Sequence, residues 1–231
     1  MVQYELGNKN VVITGGANGI GEQLVQLFVK KGSNVVFVDI DREKGQKLER
    51  QLFGKAVFMY GDISNGESVR EVVNNIVHKF KHVHILINNA GIMRSGKFVE
   101  TDFEDDIKTN LIGTMNITQL LLPFMEKTDK ILNVLSIHAY VVRENKISYD
   151  VSNAGLLMFT QSLALELKER GISVNALSFS AAKTKMMDVD SYNKRNKNNV
   201  SEPLEIANHI INILESFSPY TTGSNFVVDG I

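Results

Sequence analysis

A chain of 231 residues, with 25 Lys and Arg against 26 Asp and Glu, has the length of one α/β domain and no global field to recruit nucleic acid or an anionic membrane. A small-molecule partner is therefore expected. The absence of cysteine excludes disulfides and thiolate chemistry, the N-terminal MVQYELGNKN has no apolar h-region, and no run approaches a membrane span, so a cytoplasmic protein without a metal site is expected.

The first predicted element sets the frame. Residues 11–21, VVITGGANGIG, read as strand, tight turn and helix. Glycine takes positive φ and lets backbone approach closely, so Gly15, Gly19 and Gly21 suit a turn that offers free N–H groups to an anion, expected to be a dinucleotide pyrophosphate. The spacing is looser than G-x-G-x-x-G, and an ordinary strand-to-helix turn explains the same residues. The helix over 21–31 carries Leu24, Leu27 and Phe28 at helical spacing and stops at Gly32. NVVFVDID is a second buried strand. Its Asp39 falls roughly 20 residues past the glycine turn, where dinucleotide folds place the acid on the adenosine ribose. Such a carboxylate would bind the 2′- and 3′-hydroxyls and repel a 2′-phosphate, favouring NAD over NADP. Alternatively Asp39 caps the helix in REKGQKLERQL, a task open to Asp41 as well.

AVFMYGD, residues 56–62, is a third strand ending in Asp62, followed by Ser64 and a helix over 67–80. HILINNAGI, residues 84–92, is a fourth, emptying into Asn88, Asn89, Ala90 and Gly91. The small residues leave room for a nucleoside, although Asn-Ala-Gly is also an ordinary loop. Residues 103–125 form a long helical pattern interrupted by Gly113 and Pro123, with Asn110 among apolar neighbours. Taken alone, Asn110 is a solvated or capping side chain; at a kink it would support a water on a freed carbonyl. KILNVLS, the fifth strand, ends at Ser136, with His138 just beyond. Tyr149 opens the next helix, and Asn153 lies one turn later on the same face. Strands six and seven start near Ile172 and Ser224. Strands alternating with helices imply a parallel sheet covered on both faces, with ligands outside the strand C-termini. Residues 183–199 lack a period and read as a surface loop, or as a substrate lid reaching residue 205. Its Lys183, Lys185, Lys194, Arg195 and Lys197 would favour an anionic substrate or are simply solvated.

In this order TGGANGIG, Asp39, Asp62, NNAG, Asn110, Ser136, Tyr149 and the closing TGSNFVVDG resemble the short-chain dehydrogenase/reductase family, classical type, over nearly the whole chain. The resemblance implies a single-domain Rossmann fold over residues 1–231: a doubly wound seven-stranded parallel sheet with helices on both faces, binding NAD(H). It implies that Gly15, Asn18, Gly19, Ile20 and Gly21 line the pyrophosphate turn, that Asp39 takes the ribose and that Asp62 and Ile63 flank the adenine. Asn89, Ala90 and Gly91 would form the cofactor floor, and Thr184 would meet the nicotinamide carboxamide. Ser136 would bond a substrate carbonyl, Tyr149 would carry the proton, and Asn110 would hold the helix bend and a relay water. The family's members assemble through two long helices, here 103–125 and 149–170, so a homodimer or homotetramer is implied.

The resemblance breaks at the reactive end. The family has Tyr, three residues, then Lys, and here Asn153 stands in the lysine position. An amide can attempt that lysine's hydrogen bond to the nicotinamide ribose but cannot supply its charge. A unit charge about 4 Å away at an effective dielectric near 20 is worth roughly 4 kcal/mol, at most about three pKa units; without it Tyr149 is expected near its reference value of about 10. Phe179 and Ser180 stand where the family continues with Pro-Gly. Lys146 and His138 are candidate substitutes, although a surface role explains the lysine better and an ordinary polar role the histidine. Three functions follow: an NAD(P)-dependent oxidoreductase acting on an alcohol or carbonyl, an inactive NAD(H)-binding sensor or partner subunit, and a redox-neutral dehydratase or epimerase. The joint presence of Asn110, Ser136 and Tyr149 favours the first.

Overall fold

The computed structural model describes residues 4–187, 200–216 and 221–229. Seven strands, β1 (Asn10–Thr14), β2 (Asn34–Asp39), β3 (Ala56–Tyr60), β4 (Ile85–Asn88), β5 (Lys130–Ser136), β6 (Ser173–Phe179) and β7 (Asn225–Val228), form one sheet in the order β3-β2-β1-β4-β5-β6-β7. Every pairing is parallel. The winding therefore reverses between β1 and β4, which opens a crevice above their C-terminal ends.

The strands are short, continuous apolar runs because helices cover both sheet faces. Side chains alternate across a strand, so Val11 and Ile13 join one apolar layer with Leu24, Phe28, Ile210 and Leu214. Val12 points the other way and packs with Leu86, Ile117, Leu121 and Ile131. The first layer is roofed by α1 (Gly19–Lys30) and α7 (Pro203–Ser216), the second by α3 (Gly66–Phe80), α5 (Thr114–Leu121) and α6 (Ile147–Glu166). Two further α-helices lie among the described residues, α2 (Arg42–Gln51) and the short α4 (Glu104–Asp106).

Between α4 and α5 the chain forms a π-helical segment, Ile107–Gly113. The interruption expected at Gly113 has a steric cause, since a Cβ there would lie 2.5 Å from the carbonyl oxygen of Ile63. Pro123 sits in a 3-10 turn, Leu122–Phe124, where its missing N–H is not needed. Helix α6 starts at Ile147, two residues before Tyr149. The lid expected over 183–205 runs at its C-terminal side into α7, and an isolated parallel bridge joins Ala182 to Ser201. Residues 188–199, with Lys194, Arg195 and Lys197, lie outside the described residues. No described helix is long and apolar enough to cross a membrane.

Candidate active site

The glycine turn closes over the crevice between β1 and β4. Gly15 and Gly19 adopt φ of +66° and +55°, a region that penalises any side chain. A Cβ on Gly21 would sit 1.9 Å from the Gly15 carbonyl oxygen, so helix α1 can begin there only without one. Asn18 holds the N-cap position with extended backbone and makes no side-chain cap, leaving the first N–H groups of α1, at Gly19, Ile20 and Gly21, facing outward for an anion. Its amide instead meets Lys44 Nζ and, at 3.5 Å, Asp41 Oδ2.

The capping reading resolves between Asp39 and Asp41. Asp41 caps α2 by accepting the Lys44 N–H at 3.1 Å. Asp39 stays at the end of β2, where Oδ2 accepts the Ala17 N–H and Oδ1 the Asp41 N–H, both at 2.9 Å. Its carboxylate thus braces the glycine turn against the end of β2. Asp62 follows β3 and accepts from Ser64 N and Oγ at 2.9 and 2.7 Å; Ile63 is buried against the π-helical segment at Gly113.

The NNAG loop is tied to β1. Asn89 Nδ2 donates to the carbonyls of Thr14 and Gly15 at 3.1 and 3.0 Å, and Thr14 Oγ1 accepts the N–H groups of Asn89 and Ala90. Gly91 passes Asn110 so closely that a Cβ would lie 3.2 Å from Oδ1. Asn110 is buried, which corrects the solvated reading of it taken alone. Its Oδ1 accepts the Ile92 N–H at 2.8 Å, and Nδ2 donates to the Ile92 carbonyl and to Ser152 Oγ at 2.9 and 3.1 Å. The π-helical bend delivers this amide to the loop after β4. Across the crevice the Thr184 methyl lies 3.1 Å from where a Gly19 Cβ would be, so Thr184 covers the start of α1.

At the end of β5, Ser136, Tyr149 and Asn153 converge. Asn153 was expected to offer its amide to a ribose; it is buried and engaged within the chain. Oδ1 accepts the Ser136 N–H at 2.8 Å and Nδ2 donates to the Tyr149 carbonyl at 2.9 Å. Tyr149 departs from its reference value rather than sitting near it. Burial pushes the phenol upward, hydrogen bonds from Ser136 and Asn153 oppose the rise, and the carboxylates of Asp106 and Asp150 add to it. Tyr149 is thus a phenol held protonated, without a cation among the described residues beside it to stabilise the phenolate.

Ser180, where the family's Pro-Gly is absent, uses its free N–H to bond the Val228 carbonyl at 3.2 Å, and its hydroxyl reaches the Asp229 carbonyl at 3.1 Å. Lys146 meets Ser95 Oγ on the surface. Sequence reasoning missed Asp106, which accepts from Ser148 Oγ at 2.6 Å, and Asp150, whose Oδ1 meets His138 Nδ1 at 2.5 Å. It also missed that Lys185 crowds Lys44 and pushes that ammonium downward. These pairs join elements 12 to 141 residues apart and leave no local period to detect.

The family model for short chain dehydrogenases matches residues 9–195. The 3-oxoacyl-[acyl-carrier-protein] reductase of Thermotoga maritima is 31% identical, covering 97% of this chain and 98% of the relative. The 3-alpha-(or 20-beta)-hydroxysteroid dehydrogenase of Mycobacterium tuberculosis is 30% identical, covering 96% and 88%. Among solved structures, a 3-ketoacyl-(acyl-carrier-protein) reductase from Brucella melitensis, complexed with NADH, is similar at a TM-score of 0.89 and 28% identity over 97% of this chain and 98% of that one. Sequence and fold agree along almost the whole length: this chain belongs to the short chain dehydrogenase family.

Proposed function

We propose that this chain is an NAD-dependent oxidoreductase that interconverts an alcohol and a carbonyl compound. The observation that carries the reading is the convergence of two hydroxyl side chains, Ser136 and Tyr149, at the C-terminal end of β5, beside a glycine cradle that a single Cβ would fill. The residues present fit a dinucleotide. Outward N–H groups at Gly19, Ile20 and Gly21 suit a pyrophosphate, Asp39 suits ribose hydroxyls, and Asp62 with Ile63 suits the adenine side. Asn89, Ala90, Gly91 and Thr184 suit the nicotinamide end.

When bound, the nicotinamide supplies or accepts the hydride. Ser136 orients a substrate oxygen, and Tyr149 Oη gives that oxygen its proton. Burial and two nearby carboxylates push the phenol upward, so it is protonated at neutral pH and a weaker acid than a free tyrosine, poorly matched to proton transfer in either direction. Asn110 fixes the loop after β4 and hence the width of the crevice. The preference for NAD rests on Asp39, whose charge disfavours a 2′-phosphate; Lys44 and Lys185 lie beyond it on the Asn18 and Asp41 side and act against that preference.

A second reading is favoured by one observation. Asn153, in the family's lysine position, is engaged with backbone and brings no charge, so a cofactor-binding protein with little turnover fits the same geometry. NADH titration by fluorescence followed by a ketone and alcohol screen separates them. Turnover supports the first; binding without turnover, in wild type and Asn153→Lys alike, supports the second. Assembly through α6 is supported by Val151, Met158 and Leu165, exposed at seven-residue intervals along it, and a homo-oligomer in the cytoplasm completes the proposal.

A further inference from the structure

His138 lies two residues beyond Ser136, in the 3-10 turn Ile137–Ala139 that ends β5. It is buried, and its Nδ1 meets the buried Asp150 at 2.5 Å. The second oxygen of Asp150 accepts the Arg143 N–H at 3.2 Å, so the carboxylate is fixed from two sides. A carboxylate against Nδ1 assigns the ring proton to that nitrogen, which leaves the Nε2 lone pair free in the neutral imidazole. The ring stands edge-on to Tyr149, with centroids 5.2 Å apart and planes inclined at 66°. Ser136 Oγ accepts the His138 backbone N–H at 3.4 Å. A buried hydrogen-bonded pair adds little net stability over apolar packing of the same shape. Stability alone therefore does not account for a His–Asp couple against the proton-carrying tyrosine.

We propose that His138 is a second acid–base residue of this site, exchanging a proton between Nε2 and Tyr149 Oη, with Asp150 as the positioning residue that fixes its tautomer. The proposal rests on the oxidoreductase reading. When Tyr149 Oη gives its proton to a substrate oxygen, the phenol O–H bond breaks and the imidazolium N–H returns one proton to Oη. Water then reprotonates Nε2, and no electrons move between protein groups. The titratable groups against the ring are Asp150 and Tyr149 on α6; Asp106 bears on Tyr149 and reaches α6 through Ser148, and Arg143 approaches Asp150 by its backbone N–H. A protonated His138 offsets one of the two carboxylates that face the phenol.

The test uses full-length protein labelled with 15N-histidine, titrated from about pH 5 to 9, with His138 assigned against His138→Gln. The expected neutral form is the Nδ1–H tautomer. Asp150→Asn lowers the midpoint by about one unit, and saturating NADH moves it by about half a unit, which a ring remote from the crevice would not show. In NADH-dependent reduction of acetoacetyl-coenzyme A, His138→Gln lowers kcat about 100-fold at little-changed KM and removes one limb of the pH profile. The Nε2–H tautomer, or a His138→Gln protein with wild-type kcat and pH profile, overturns the proposal. If NADH binds but neither the probe nor any compound of the ketone and alcohol screen is turned over, the oxidoreductase reading fails separately, and the NADH response of His138 then decides: a shift supports a proton carrier facing the crevice, and its absence overturns it.

Discussion

Asn153 Oδ1 accepts the backbone N–H of Ser136 at 2.8 Å, linking the end of β5 to the second turn of α6. This bond makes position 153 a structural joint as well as a neighbour of Tyr149. In Asn153→Lys the ammonium has no acceptor to offer, and the buried Ser136 N–H loses its partner. The expected cost is about 1–3 kcal/mol, read as a lower urea midpoint at unchanged slope. The same variant lowers the Tyr149 pKa, because a cation then faces the phenol, and ultraviolet tyrosinate titration reads that fall directly. An unchanged urea midpoint would contradict the joint.

The glycine cradle makes a steric prediction. With a Cβ required 1.9 Å from the Gly15 carbonyl oxygen, Gly21→Ala must displace the turn. A loss of about 1–3 kcal/mol in stability and at least a tenfold weaker NADH affinity, about 1.4 kcal/mol, are expected by urea titration and fluorescence. Gly54, where nothing stands within 4 Å, is the control for added side-chain bulk; its own positive φ confines any loss to stability.

Asp39 combines bracing with charge. Asp39→Ala removes the acceptor for the Ala17 and Asp41 N–H groups, so stability and NADH affinity fall together. Asp39→Asn keeps an acceptor oxygen but not the charge. Its expected result is a rise of about tenfold or more in the NADPH to NADH affinity ratio, helped by Lys44 and Lys185. An unchanged ratio would remove the electrostatic basis for NAD preference.

The opposite end of the sheet predicts a pH dependence. His84 Nδ1 accepts the Asn10 N–H at 3.0 Å, a bond that protonation abolishes. Burial, with the neighbouring charges of His82 and Lys9, pushes His84 down to about 4 from 6.5. A folded-state value below the unfolded one means that the neutral ring stabilises the fold above pH 6.5, and that this contribution is lost as pH falls toward 4. Asp129, raised chiefly by its burial, acts in the other direction at the acid end. Urea midpoints should therefore fall from pH 6.5 to 5, and His84→Gln should flatten that slope.

The alternation of apolar runs with helical periods was sufficient for a parallel sheet, because a strand covered on both faces must be apolar throughout. The glycines were legible for a related reason, since positive φ and backbone contact tolerate little else. Asp39 and Asp41 were equally legible as the helix cap, and only the hydrogen bond from Lys44 assigned that task to Asp41. Asn110 read alone as solvated because its partners, Ile92 and Ser152, come from a different loop and a different helix.

The sequence by itself determined the layered architecture, a ligand side at the strand C-termini and the absence of a lysine one turn after Tyr149. Those follow from local residue patterns whose physical period is short. The tertiary structure decided what surrounds the phenol: a buried Asn153 bonded to two backbones, two carboxylates rather than a cation, and His138 set by Asp150 against its ring. Burial and charge neighbours are sums over elements distant in the chain, so no window of sequence contains them.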